Sequence, residues 1–263
     1  MKILTSFSFF IVMVSSISCS VITKSPAENV GISESNSSET SANTSQNIYF
    51  KGSGNEPFWN VEISEGQIKL KTITESIVAP SVEAIIAADH NVKLYRTQTA
   101  NNDIINIQIV QNKCTNAMSG EVSSYSVSVE YQKYGDSKMS KLEGCGNYIT
   151  DYRLNDIWVL ETLDGNKVEL KNFQNKLPSM EINSATNSFS GFSGCNRMNG
   201  QLFFEKGLLR FTDITTTKMM CDPNNQENAF LKAMKSTTTY KIENNRLWLS
   251  NPSGLMLIFK KID

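Results

Sequence analysis

Histidine is nearly missing from this 263-residue chain, with His90 the sole example. That scarcity bears on chemistry at once, because hydrolytic triads and most zinc sites draw on imidazole. No Cys-x-x-Cys pair occurs, and the five cysteines, Cys19, Cys114, Cys145, Cys195 and Cys221, are widely scattered with none near His90. No metal centre is expected on this pattern, and no cofactor, since a glycine-rich phosphate turn between a strand and a helix is also lacking. Surplus charge is absent as well. A net charge of −1, a pI near 6.0 and no basic stretch interleaved with aromatics argue against nucleic acid as a partner. No apolar run is long enough to cross a bilayer.

What is present begins at the amino end. "MKILTSFSFFIVMVSSISCS" places one lysine before an apolar run from Phe7 to Val14 and closes on small residues. This is the pattern of an export signal, expected over residues 1–18. Ser16-Ile17-Ser18-Cys19 resembles a bacterial lipobox, in which Cys19 becomes the lipidated first residue, although Ser16 stands where a leucine-like residue is usual. The alternative is a signal cut without lipidation. Residues 19–47, rich in Ser, Asn, Thr and Glu, have almost nothing to bury and are expected to form a flexible tether. About 215 residues then remain to fold, which suits two domains of about 100 residues better than one.

The remaining four cysteines are an even number in a chain expected to reach an oxidising space. Of the three possible pairings, Cys114 with Cys145 and Cys195 with Cys221 is the one that keeps each bridge inside a candidate domain. Loops of roughly 25 to 30 residues contribute about 3 to 4 kcal/mol each in the chain-entropy account.

Hydrophobic periodicity supports a mainly β (α+β) chain of two small antiparallel β-rich domains, the second with one helix. In the first, over 48–150, "WNVEI" and "QIKLKTI" alternate apolar and polar residues around Ser64-Glu65-Gly66, and "DIINIQIVQ" and "YSVSVEYQ" alternate equally cleanly. In the second, over 153–263, "IWVLETL", Asp164-Gly165 and "KVEL" read as a hairpin. "QLFFE" and "LLRFTDI" flank Lys206-Gly207, and three further strands close the chain. One helix is expected from Asp222-Pro223 through "NNQENAFLKAMKS", with Asp222 as its cap and Phe230, Ala233 and Met234 on its core face.

"SGFSGCNRMNGQ" (Ser190 to Gln201) concentrates the ambiguous chemistry. It approaches the hydrolase pattern Gly-x-Ser-x-Gly, but Cys195 occupies the final position and the lone histidine lies in the other half. Cys195 itself has no evident base, so an enzyme is not expected; Gly191, Gly194 and Gly200 fit turns around a bridge. Arg197, in a glycine-bounded loop, could take a carboxylate or phosphate from a ligand. The alternative is an internal salt bridge or hydrogen bonds to loop carbonyls. In "GNEPFW", Glu56 beside aromatics could serve as an acid or a binding group, the alternative being a local backbone contact.

"GCNRMNGQ" (Gly194 to Gln201) followed by "GLLRFTDITTTKMMCDP" (Gly207 to Pro223), a helix and closing strands resembles the META or HslJ-like domain of bacterial envelope lipoproteins. Lys218 stands where that family usually has arginine, which keeps the charge and loses the bidentate fork. The earlier half resembles a second, uncharacterised exported lipoprotein family, through "GNEPFW", "CTNAMSG" (Cys114 to Gly120) and "GCG" (Gly144 to Gly146), with Asn116 where aspartate is common. Neither resemblance implies a reaction; the META type is associated with heat-inducible or stress-linked envelope proteins. The expectation is a non-enzymatic lipoprotein of the cell envelope, held at the outer membrane or periplasmic face through Cys19. It would recognise an unknown envelope component or protein with Asn196, Arg197 and Lys218, and with Glu56 as a separate candidate. The alternative is an inhibitor of a lysozyme-like or proteolytic hydrolase.

Overall fold

The computed structural model describes residues 47–262, so the expected signal peptide, the lipid site Cys19 and nearly all of the tether lie outside the described residues. Within them the chain is mainly β. The first half contributes β1 (Ile48–Asn55), β2 (Phe58–Ser64), β3 (Gln67–Thr72), β4 (Ser76–Pro80), β5 (Ile85–Ile86), β6 (Val92–Gln98), β7 (Ile104–Val110), β8 (Cys114–Thr115), β9 (Val122–Ser123), β10 (Tyr125–Gln132) and β11 (Ser140–Tyr148). The second half contributes β12 (Ile157–Leu163), β13 (Asn166–Lys167), β14 (Ser179–Asn183), β15 (Ser188–Phe192), β16 (Arg197–Glu205) and β17 (Leu208–Thr216). After them come the helix α1 (Glu227–Ser236), β18 (Thr239–Glu243), β19 (Arg246–Asn251) and β20 (Gly254–Lys261).

Strict alternation explains the first sheet, ordered β4-β3-β2-β1-β11-β10-β7-β6-β5. Ile105, Ile107 and Ile109 of β7 and Tyr125, Val127 and Val129 of β10 all point inward and are buried, while the residues between them face outward. Trp59 of β2 lies across Gly54 of β1, where a Cβ would collide with the indole nitrogen, and its N–H reaches the Glu143 carbonyl at 3.2 Å. The sheet curls until the Thr97 hydroxyl of β6 donates to the Pro80 carbonyl at the end of β4, 2.8 Å away.

The second sheet closes on itself. Its order is β13-β12-β14-β15-β16-β17-β18-β19-β20, and β20 also pairs with β12, from Trp158 opposite Lys261 to Leu163 opposite Leu257. Closure gives β12, β16, β19 and β20 a paired neighbour on each side, while β17 and β18 meet only at Leu208 opposite Thr239. α1 packs on β17 and β20 and buries Phe230, Ala233 and Met234. Asp164-Gly165 and Asn244-Asn245 take positive φ angles at the tips of their hairpins, as the right-handed twist of the flanking strands requires.

Three local expectations need correction. "KVEL" is not a strand: β13 ends at Lys167, and Leu170–Phe173 forms a 3-10 turn that carries Phe173 into the core. The helix starts five residues after Asp222. Asp222 caps a turn instead, accepting from Asn224 N at 2.8 Å, while Asn225 Oδ1 takes the Glu227 N–H at 2.8 Å and opens the helix there. Nor does Arg197 lie in a loop, since β15 and β16 run on both sides of a four-residue turn from Ser193 to Asn196.

Both sheets belong to one compact unit, and a buried carboxylate joins them. Glu205, at the end of β16 and 3% exposed, enters the first sheet's territory. It forms an ion pair with Lys93 and accepts hydrogen bonds from Asn91 Nδ2 at 2.7 Å and the Tyr125 hydroxyl at 2.6 Å. Burial, and then the neighbouring carboxylate, push the Tyr125 phenol well above its usual range, so it stays a donor. Between the sheets, Asp151 accepts from Arg153 Nη2 at 2.6 Å and from the Tyr240 hydroxyl at 3.0 Å. Burial pushes the Asp151 carboxyl up, but these donors outweigh it and hold the group below its ordinary value.

Glu205→Ala leaves the largely covered Lys93 without its ion-pair partner and should lower the unfolding free energy by about 3 to 5 kcal/mol in urea titration. Because the folded pKa of Asp151 is lowered, its contribution is complete above the ordinary carboxylate range and is lost as pH falls through the folded value. The melting-temperature gap between wild type and Asp151→Asn should therefore be largest near neutral pH and close toward about pH 2. A gap that does not change with pH would contradict this.

Candidate functional site

The turn between β15 and β16 is built around a buried carboxylate. Glu227, in the first turn of α1 and 8% exposed, points back at Ser193 and Asn196. Its Oε1 accepts from the Asn196 backbone N–H at 2.8 Å and lies in a short hydrogen bond with the Ser193 hydroxyl; its Oε2 accepts from Asn196 Nδ2 at 2.9 Å. Among the described residues no cation forms an ion pair with it. Neutral donors and the positive end of the helix it starts take that role.

Asn196 transmits this order outward. Its Oδ1 accepts from the Met219 N–H at 2.7 Å and from the Thr217 hydroxyl at 2.9 Å, and Thr217 in turn accepts from the Arg197 N–H at 3.1 Å. Gly194 sits at φ +107, a conformation that disfavours any side chain, with the Phe173 ring packed where a Cβ would stand. Asn225 Nδ2 donates to the Gly194 carbonyl at 2.9 Å. Cys195, buried, is bonded to Cys221, with Cα atoms 5.9 Å apart, and Cys114 is bonded to Cys145. The Cys195 and Cys221 sulfurs lie near the Glu227 carboxylate in a grouping that would suit a metal, but their bond to each other removes both as thiolate ligands and Cys195 as a nucleophile.

The structure therefore separates the residues singled out from sequence. Asn196 is 5% exposed and its amide is engaged internally on both sides, so it positions the tip instead of facing a ligand. Arg197 and Lys218 are exposed, and neither side chain has a hydrogen-bond or ion-pair partner among the described residues. The internal salt bridge that was the alternative for Arg197 is not formed. Met219 and Met220 extend the same tip at 64% and 96% exposure. Glu56 is exposed in the turn between β1 and β2, in the other sheet.

Glu227, Ser193 and Thr217 carry the geometry and were not legible as functional residues. Acidic residues in a first helical turn are ordinary on surfaces, and only the tertiary return of α1 to the Ser193–Asn196 turn buries this one.

Residues 150–263 match the model of the META domain family. No curated protein matches the chain. Two solved structures are similar to parts of it. One is an NMR structure of a protein that is 24% identical, covering 41% of this chain and 90% of that one with a TM-score of 0.33. The other is an NMR structure of a protein from Burkholderia xenovorans, also 24% identical, covering 50% of this chain and 98% of that one with a TM-score of 0.34.

Glu227→Ala removes the acceptor for two Asn196 donors and should cost about 2 to 3 kcal/mol under oxidising conditions. Arg197→Ala should stay within about 0.5 kcal/mol of wild type. Equal losses in paired denaturant titrations would refute the division between a buried support and an exposed tip.

Proposed function

Taking residues 150–263 as a META domain, we propose that the protein is a non-enzymatic recognition protein of the bacterial cell envelope, linked to envelope stress and anchored through lipid on Cys19. Its recognition surface is the tip that carries Arg197, Lys218, Met219 and Met220. One observation carries this reading: two cations without a partner among the described residues and two exposed thioethers stand on a backbone that is fixed from beneath by the Glu227–Asn196 hydrogen bonds and a disulfide. A pre-ordered tip gives up little entropy on binding, and a guanidinium beside an ammonium suits an anionic group on the ligand. The same rigidity supports the second reading, an inhibitor that inserts this tip into the cleft of a lysozyme-like or proteolytic hydrolase.

Co-sedimentation with isolated peptidoglycan sacculi tests the first reading, using a Cys19→Ser form so that no lipid contributes. Retention should drop by roughly tenfold when Arg197→Ala and Lys218→Ala are combined, a loss typical of a few charge-assisted contacts. No retention, or retention that the double variant leaves intact, rules out this surface for that component. Inhibition of a purified muramidase or protease that the same double variant abolishes would favour the inhibitor.

A further inference from the structure

The first sheet carries a second candidate site, separate from the tip. The register of β1, β11, β10 and β7 aligns Ser53, Cys145, Ser126 and Val110 in one row across the outer face, and Glu143, Ser128 and Gln108 in the next. The Cys114–Cys145 bond clamps the β8–β9 hairpin onto this face. Asn55 Nδ2 donates to Asn116 Oδ1 at 2.5 Å, and the same oxygen accepts the N–H groups of Met118 and Ser119 at 2.9 and 3.1 Å. The three stretches that stood out in the first half, "GNEPFW", "CTNAMSG" and "GCG", thus meet as walls and floor of one cleft of about 520 Å³. That volume falls within the roughly 300 to 1,000 Å³ of small-ligand sites.

The lining is chemically one-sided. It holds two carboxylates, Glu56 and Glu143, and no lysine or arginine. Glu143 pairs with Lys141 at 2.7 Å, further along its own strand. Glu56 has no hydrogen-bond or ion-pair partner among the described residues, and neither do the side chains of Ser53, Gln108, Ser126 and Ser128. One unpaired carboxylate and four uncommitted hydrogen-bonding side chains converge on a cavity that a disulfide and the Asn55–Asn116 bond hold open. Packing needs none of these polar groups, since the core lies on the opposite face of the sheet.

We infer that this cleft binds a small protonated amine that carries hydroxyl or amide groups beside its charge, with Glu56 taking the ammonium and Ser126, Ser128 and Gln108 the neighbouring polar groups. An amino sugar and an amino-acid amide both offer that chemistry. The site is independent of the Arg197–Lys218 tip, so either assignment can fail without the other.

Isothermal titration of the folded protein with D-glucosamine, L-lysinamide and N-acetyl-D-glucosamine tests it, with amide NMR shifts locating the binding. At least one of the two amines should bind saturably and shift Gly54, Thr115 and Gly144, and the tighter of the two identifies the source. N-acetyl-D-glucosamine, which lacks the charge, should bind at least tenfold more weakly than that amine. Glu56→Gln should weaken the amine tenfold or more, and Ser128→Ala, also exposed to the cleft and remote from the core, severalfold. Absence of saturable binding by both amines, equal affinity for the acetylated sugar, or an unchanged affinity in both variants would overturn the assignment.

Discussion

A carboxylate leaves water only where donors replace its hydration, and the arrangement of this protein follows from meeting that condition twice. Glu227 meets it with neutral groups, and in doing so fixes the turn between β15 and β16 and, through Asn196, the backbone of the tip. Glu205 meets it with a lysine and a tyrosine of the other sheet and an asparagine in the turn before β6, so its burial and the joining of the sheets are one event. Both residues are buried. Both decide where the exposed groups stand.

The disulfides play a parallel part. Each ties a polar connection to a sheet: Cys114–Cys145 lays the β8–β9 hairpin across β11, and Cys195–Cys221 fastens the segment after β17 to the turn before β16. Among the described residues both cysteine pairs are bonded, and the groups that remain at the two sites include carboxylate, guanidinium, ammonium and thioether. That inventory suits binding by charge and contact, which is why recognition is the reading the site supports best.

Much of the β architecture was legible in sequence because it rests on period-two alternation. "YSVSVEYQ" and "IWVLETL" coincide with β10 and β12, and Asp164-Gly165 and Asn244-Asn245 mark the β12–β13 and β18–β19 turns. Where the chain departs from local rules, tertiary contacts are responsible. Asp222-Pro223 has the composition of a helix start, but the demand that Glu227 reach Asn196 delays α1. "GFSGCNRMN" reads as loop because of its glycines, yet those glycines admit the close approach of neighbouring strands and rings, and most of the stretch is strand. Arg197 and Lys218 were recognisable as exposed candidates from residue type. The inward commitment of Asn196 was not, because it depends on Thr217 and Met219, about twenty residues away, folding back onto it.

The pairing of β12 with β20 joins the opening and closing strands of the second sheet, about a hundred residues apart, and such a contact cannot reward the chain until the intervening loop entropy has been overcome. For a polypeptide threaded amino end first through a membrane pore, β12 would emerge long before the strand that completes it. Until β20 arrives, the inner surfaces of Trp158 and Leu160 and an unpaired edge stand open to whatever is nearby. In a chain delivered that way, the last strand would be the latch of the second sheet.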